Sequence, residues 1–188
     1  MWNRLLVFLL AGLVAACGGA GEDYYRLSAT SPAATASAPS GLSVSIGPVT
    51  LPSYIDRPEI VFASGPNEFQ IPTNALWIGS LKENIARAVA SDLGHLLGSS
   101  NVRGGLEAGA KPRYSVALDL RQFHGISGQE AILDLSWRIQ DGASGALISR
   151  NSARFQERII GDGYEPLVAA ESRLLAQCAA AIAQSIRR

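Results

Sequence analysis

Few side chains in this sequence have the type and spacing that bond-making chemistry needs. The only histidines are His95 and His124, and neither has a cysteine or a second histidine at metal-ligand spacing. No serine lies in a Gly-x-Ser-x-Gly turn. Gly104-Gly105 is not followed by the lysine and hydroxyl of a phosphate-binding loop. Asp119 and Asp134 fall on neighbouring expected strands, as paired carboxylates of a hydrolase would. Both lie on the polar side of their alternation, which points to solvated surface. Cys178 follows Leu174 and Leu175 on the apolar stripe of the last expected helix, with no base or basic patch nearby in sequence. It reads as a small buried hydrophobe and not as a nucleophile. The chain is therefore read as no enzyme, with no catalytic residue and no metal.

Cys17 is the exception, because of the residues before it. Arg4 gives a positive start, residues 5–14 carry no polar side chain, and Ala15-Ala16 lead into the cysteine. About ten apolar residues are too few to cross a hydrocarbon core of roughly 30 Å as a helix. They fit the core of a secretory signal followed by a small-residue processing site. A plain signal peptide that happens to contain a cysteine is the alternative. Val14-Ala15-Ala16-Cys17 resembles the lipobox of bacterial lipoproteins. That resemblance implies removal of residues 1–16, a diacylglyceryl thioether on Cys17 and acylation of its new amine. Residue 18 is glycine and not aspartate, which in the same pattern implies the outer membrane, facing the periplasm.

Composition narrows the remaining classes. Sixteen basic and sixteen acidic side chains cancel, and only 17% of residues are charged. No basic stripe appears, so nucleic acid is not an expected partner. The chain beyond the signal is long enough for one domain with its own core.

The elements that hold these residues emerge from periodicity. Residues 17–41 form a tether, with an expected short strand at 24–27 and a flexible Ala/Ser/Thr/Pro loop from Ser28 to Gly41. Leu42-Ser43-Val44-Ser45-Ile46 alternates as a half-buried strand, bent at Gly47-Pro48. Residues 59–63 and 68–71 flank a turn and form a hairpin. Thr73 or Asn74 is the expected cap of a helix of about six turns, with Trp77, Ile78, Leu81, Ile85, Val89 and Leu93 on one face and Gly98 as its stop. Residues 101–112 read as a loop. Tyr114, Val116, Leu118 and Leu120 alternate with polar or small residues, as do Ala131, Leu133, Leu135, Trp137 and Ile139. A less regular strand comes next, over 146–156. Pro166 suits the first turn of a closing helix. The expected order is β-β-β-α-β-β-β-α. This is an α+β two-layer sandwich with a mostly antiparallel sheet of about six strands and two long helices on one face. Trp77 and Trp137 are expected in the core.

The segment from Val44 to Leu97 resembles the ABC-type transport auxiliary lipoprotein family, of the PqiC type; the resemblance covers almost the whole mature chain and makes residues 42–188 the expected family domain. The resemblance rests on Tyr24-Tyr25-x-Leu27, on Ile46-Gly47-Pro48-Val49-x-Leu51-Pro52, and above all on Tyr54-Ile55-Asp56-Arg57-Pro58-Glu59-Ile60-Val61. Where the family commonly reads Trp-Ala-Glu-Pro-Leu, this chain has Trp77-Ile78-Gly79-Ser80-Leu81. The resemblance implies a non-catalytic subunit that docks an MCE-domain conduit protein at the outer membrane in a lipid transport system. It also implies a homo-oligomeric ring. The proline-stiffened loop Tyr54, Ile55, Asp56, Arg57 and Pro58 is the expected partner-binding site, since a preorganised loop loses less entropy on docking. The same loop can instead hold a turn, with Asp56 paired to Arg57 and with Tyr54 and Ile55 closing the core edge. A stand-alone periplasmic lipoprotein that binds a lipid or other apolar ligand is the alternative function.

Overall fold

The computed structural model describes residues 21–34, 41–105, 111–126 and 128–187. Cys17 and the expected signal, residues 1–16, lie outside them. The longest strand, β7 (Tyr114–Ile126), organises the main sheet. Along one edge it pairs antiparallel with β8 (Glu130–Asp141), and β8 pairs antiparallel with β9 (Leu147–Arg158). The other edge is shared by two shorter parallel strands. β2 (Val44–Thr50) takes the stretch from Tyr114 to Asp119, and β3 (Phe62–Gly65) takes Gly125 and Ile126. β6 (Val102–Gly104) extends β2 in parallel, and β4 (Glu68–Gln70) closes the hairpin with β3.

The two-layer α+β architecture is as expected, but the sheet is mixed. Alternation identifies strands without their direction, and the meander β7–β8–β9 is the antiparallel part. The parallel part arises because α1 (Leu81–Leu97) lies between β2 and its partners in the chain, and a crossover of that kind returns the chain in the same direction.

Core-facing residues keep strict order across β7 and β8: Val116 meets Ile139, Leu118 meets Trp137, Leu120 meets Leu135 and Phe123 meets Leu133. Leu120 and Phe123 are an odd number of residues apart. A register shift between Leu120 and Gln122 lets both face inward. A second shift, between Ile46 and Val49, places Pro48 where its missing N–H breaks no ladder bond. The two helices, α1 and α2 (Tyr164–Ile186), pack on each other and on the same face of the sheet. Ile85, Val89, Leu93, Leu174, Leu175 and Ile182 are almost fully buried beneath them. Gly98 ends α1 in the left-handed conformation, φ 64°.

Three expectations change. The first helix starts at Leu81 and not at Thr73 or Asn74, because residues 75–77 are drawn into β5 (Ala75–Trp77), which pairs parallel with β1 (Asp23–Tyr25). Trp77 is buried as expected, but from a strand. Val102–Gly104 is an edge strand and not a loop. The segment after Ser28, expected to be flexible, is held down over residues 28–34. Asp92 of α1 accepts from the backbone N–H groups of Thr30 and Ser31 at 2.8 and 2.6 Å. The Ala34 N–H donates to the His95 carbonyl at 2.7 Å, and the Ser28 N–H to the Ser172 hydroxyl at 3.2 Å.

Candidate functional site

The expected partner-binding loop is built from the inside outward. Pro52 accepts from the N–H groups of Ile55 and Asp56, each at 3.2 Å, and the Arg57 N–H donates to the Ile55 carbonyl at 2.9 Å. This tight turn drives Ile55 into the core, where it is 2% exposed. Tyr54 is half-buried, and its hydroxyl lies 2.9 Å from His124 Nδ1. Phe69 of β4 packs on both rings, with centroids 5.2 Å from Tyr54 and 5.1 Å from His124. Burial, and next the charge of Arg154, hold the His124 imidazole below its usual pKa. Burial raises that of the Tyr54 phenol. The ring is thus neutral at neutral pH, and its Nδ1 can accept the phenol proton. This aromatic latch seals one end of the helix-free face of the sheet.

Asp56 and Arg57 do not pair with each other. Asp56 meets Lys82, in the first turn of α1, at 2.6 Å. Arg57 meets Glu59 at 2.8 Å, and this hydrogen bond is the main reason the Glu59 carboxyl is held below its usual value. The Pro58 carbonyl accepts from the Trp77 N–H at 2.7 Å. Ile60 donates to the Ala75 carbonyl at 2.9 Å, and Glu59 bridges antiparallel to Leu76. The loop therefore continues into a small sheet with β5 and β1. Of the five expected residues, Tyr54 and Ile55 hold the structure together. Asp56, Arg57 and Pro58 reach the surface.

The outward face of that small sheet has no signature in the sequence. Tyr24 lies opposite Leu76, with Glu59 on the other side of Leu76. Ile78 comes two residues on, its N–H bonded to the Tyr25 carbonyl at 2.8 Å. Tyr24 is 56% exposed and Ile78 53%, and Leu76 between them is half-buried. The result is an apolar strip rimmed by the Arg57–Glu59 pair. It begins three residues after the first described residue, at the end of the domain where the chain enters. Its members come from two separate stretches of sequence and its rim from a third, so only their pairing reveals it.

The other candidates are not assembled for chemistry. Asp119 faces Ser136, while Asp134 lies two rungs along and pairs with Arg121 and Arg154. His95 is exposed, with Nδ1 3.1 Å from the Ser31 carbonyl oxygen. Cys178 is fully buried, and burial pushes its thiol up to about 12, so it carries almost no thiolate. No group of three metal-ligating side chains occurs among the described residues.

Solved structures that share this fold include two of high coverage. One, an uncharacterized protein, has a TM-score of 0.72 at 20% identity, covering 88% of this chain and 99% of its own. The other, XCC0632 from Xanthomonas campestris, has a TM-score of 0.69 at 15% identity, covering 86% of this chain and 92% of its own. At these identities the likeness is one of fold. No curated protein matches the chain. The family model of the ABC-type transport auxiliary lipoprotein component matches residues 25–183, from β1 almost to the end of α2, and the chain belongs to that family.

Proposed function

We propose that this protein is the lipid-anchored, non-catalytic outer-membrane subunit of an ABC-linked lipid transport system, where it docks an MCE-domain conduit protein. Membership of an auxiliary-component family supports the general role. The apolar strip of Tyr24, Leu76 and Ile78, beside the loop of Tyr54, Ile55, Asp56, Arg57 and Pro58, carries the docking part of the reading. An apolar centre within a polar rim is the usual anatomy of a protein interface. The loop is already hydrogen-bonded in place, so docking needs little ordering. In this reading Cys17 carries the diacylglyceryl and N-acyl chains. The six residues from there to Asp23 span about 20 Å at most, which keeps the strip close to the bilayer. Copies assemble side by side in a ring around the conduit.

Affinity capture of the full-length protein from cells after crosslinking, with mass spectrometry of the captured proteins and lipids, tests this. The expected result is an MCE-domain protein, and a triacylated amino-terminal peptide beginning at Cys17. Cys17→Ala should yield an uncleaved or soluble form. Capture of no transport protein, with an unmodified amino terminus, overturns the proposal.

One observation favours the stand-alone reading. An apolar hollow of about 310 Å³, lined by Phe62, Gly125, Ile159, Tyr164 and Leu167, opens beside the start of α2. It lies at the lower end of the size range of small-molecule pockets. Lipid recovered in stoichiometric amount with the protein alone would support that function instead.

A further inference from the structure

The helices cover one face of the sheet, and the opposite face carries a charge arrangement that docking does not use. On that face Arg138 of β8 lies directly opposite Arg150 of β9. Like charges in directly opposed positions of an antiparallel pair destabilise it. Neighbouring arginines on the same face avoid the problem: Arg121 pairs with Asp134, and Arg154 hydrogen-bonds Gln122 at 2.7 Å. Arg138 and Arg150 have no ion pair and no side-chain hydrogen bond among the described residues.

The surface beside them is concave. Ala117 of β7 is the residue opposite Arg138. Its methyl group is the floor, only 6% exposed although no helix covers this face. Around it stand Pro48 and Thr50 of β2, Asp119, Ser136 and the two arginines, enclosing about 320 Å³. The shift in β2 at Gly47-Pro48 allows Thr50 to pair with Asp119 and present its hydroxyl here. Two guanidinium groups and two hydroxyls thus face one hollow against a single carboxylate, Asp119, which leaves a net positive charge.

We infer that this hollow binds a phosphate group, with Arg138 and Arg150 as its charged ligands and Thr50 and Ser136 as hydroxyl donors. Guanidinium forks match the oxygen geometry of phosphate, and charge-assisted bonds to it are stronger than neutral ones. A bound phosphate also relieves the Arg138–Arg150 repulsion. The phosphate is free or is the headgroup of a glycerophospholipid. The site stands apart from the docking strip and does not rest on the transport reading.

Calorimetric titration of the full chain in a phosphate-free neutral detergent tests it. The probes are inorganic phosphate, glycerol 3-phosphate and a short-chain phosphatidylglycerol, each against sodium chloride at matched ionic strength. Saturable phosphate binding is expected, weakened about tenfold or more by Arg138→Gln or Arg150→Gln. Ala117→Leu keeps both charges but fills the floor, and should weaken binding as much. Tighter binding of the phosphatidylglycerol than of the other two probes identifies the headgroup. Equal binding of all three identifies the phosphate group alone. Heat that sodium chloride reproduces, or binding that survives both arginine substitutions, overturns the proposal. Both arginines are exposed, so their variants should fold; circular dichroism checks this.

Discussion

Glu171 is buried in α2 at 1% exposure, with Oε2 lacking any hydrogen-bond partner. Burial pushes its carboxyl from the ordinary 4.5 up to about 8. Between those values the unfolded chain is ionised while the folded chain keeps the proton. Stability conferred by the neutral acid is therefore complete below pH 4.5 and is lost as pH rises through about 8. His124 acts in the opposite sense. Its folded pKa lies below the usual 6.5, so the unfolded chain takes up a proton that the folded chain refuses, and stability drops as pH falls below 6.5. From pH 6.5 to 8, then, Glu171 is the group expected to govern the slope, at no more than about 1.4 kcal/mol per pH unit. Glu171→Gln should flatten that slope and raise the melting temperature at pH 8, leaving the acid limb in place. Parallel pH profiles for the two proteins would mean that Glu171 is already ionised. The Tyr54 hydroxyl offers a second test. Tyr54→Phe leaves His124 Nδ1 buried without its partner and should cost about 1–3 kcal/mol in urea unfolding. Capture of the proposed partner should persist, because the loop's surface groups are untouched.

Among the elements, the entering segment is held by a few polar contacts, of which Asp92 makes two. Asp92 is fully buried in α1 and binds two successive backbone N–H groups of residues 30 and 31. Asp92→Ala should destabilise the fold by about 1–3 kcal/mol and speed amide exchange at Thr30 and Ser31 before the sheet responds. Unchanged exchange there would show that the segment is held by other contacts. This contact also marks where sequence reading ends. Val116, Leu118, Leu120, Leu133, Leu135 and Ile139 announce their strands because each packs one face on a core, and that leaves a period of two. The apolar stripe of α1 and its stop at Gly98 are legible for the same reason. Residues 28–34 have no such pattern, since they are fixed by backbone groups that every residue type carries. β5 reads as a helix start because Trp77 continues the helical spacing by chance, and the pairing with β1 outweighs it. Within the loop, Ile55 and Tyr54 are legible as apolar residues but not as core plug and latch. Those roles depend on Phe69 and His124, which are distant in sequence.

At the scale of the whole molecule, the proposed surfaces divide by face. Helices cover one side of the sheet, the Arg138–Arg150 hollow lies on the other, and the strip of Tyr24, Leu76 and Ile78 lies where the chain enters the domain. If the chain is anchored at Cys17 as proposed, the entering end lies near the bilayer, where a neighbour beside it can reach the strip. Ile78 distinguishes docking from mere structure, because its side chain is 53% exposed and its backbone N–H, not its side chain, ties β5 to β1. Ile78→Glu should change the melting temperature little, since surface substitutions away from special features are worth about ±0.5 kcal/mol. It places a charge in the apolar centre of the proposed interface, where desolvation without a pair is costly. Under the proposed function, recovery of an MCE-domain protein should fall about tenfold or more by quantitative mass spectrometry, while the proposed processing at Cys17 and membrane retention should not change. Full recovery of the partner with Ile78→Glu, together with its loss on Asp56→Ala or Arg57→Ala, would move the interface off the strip and onto the loop.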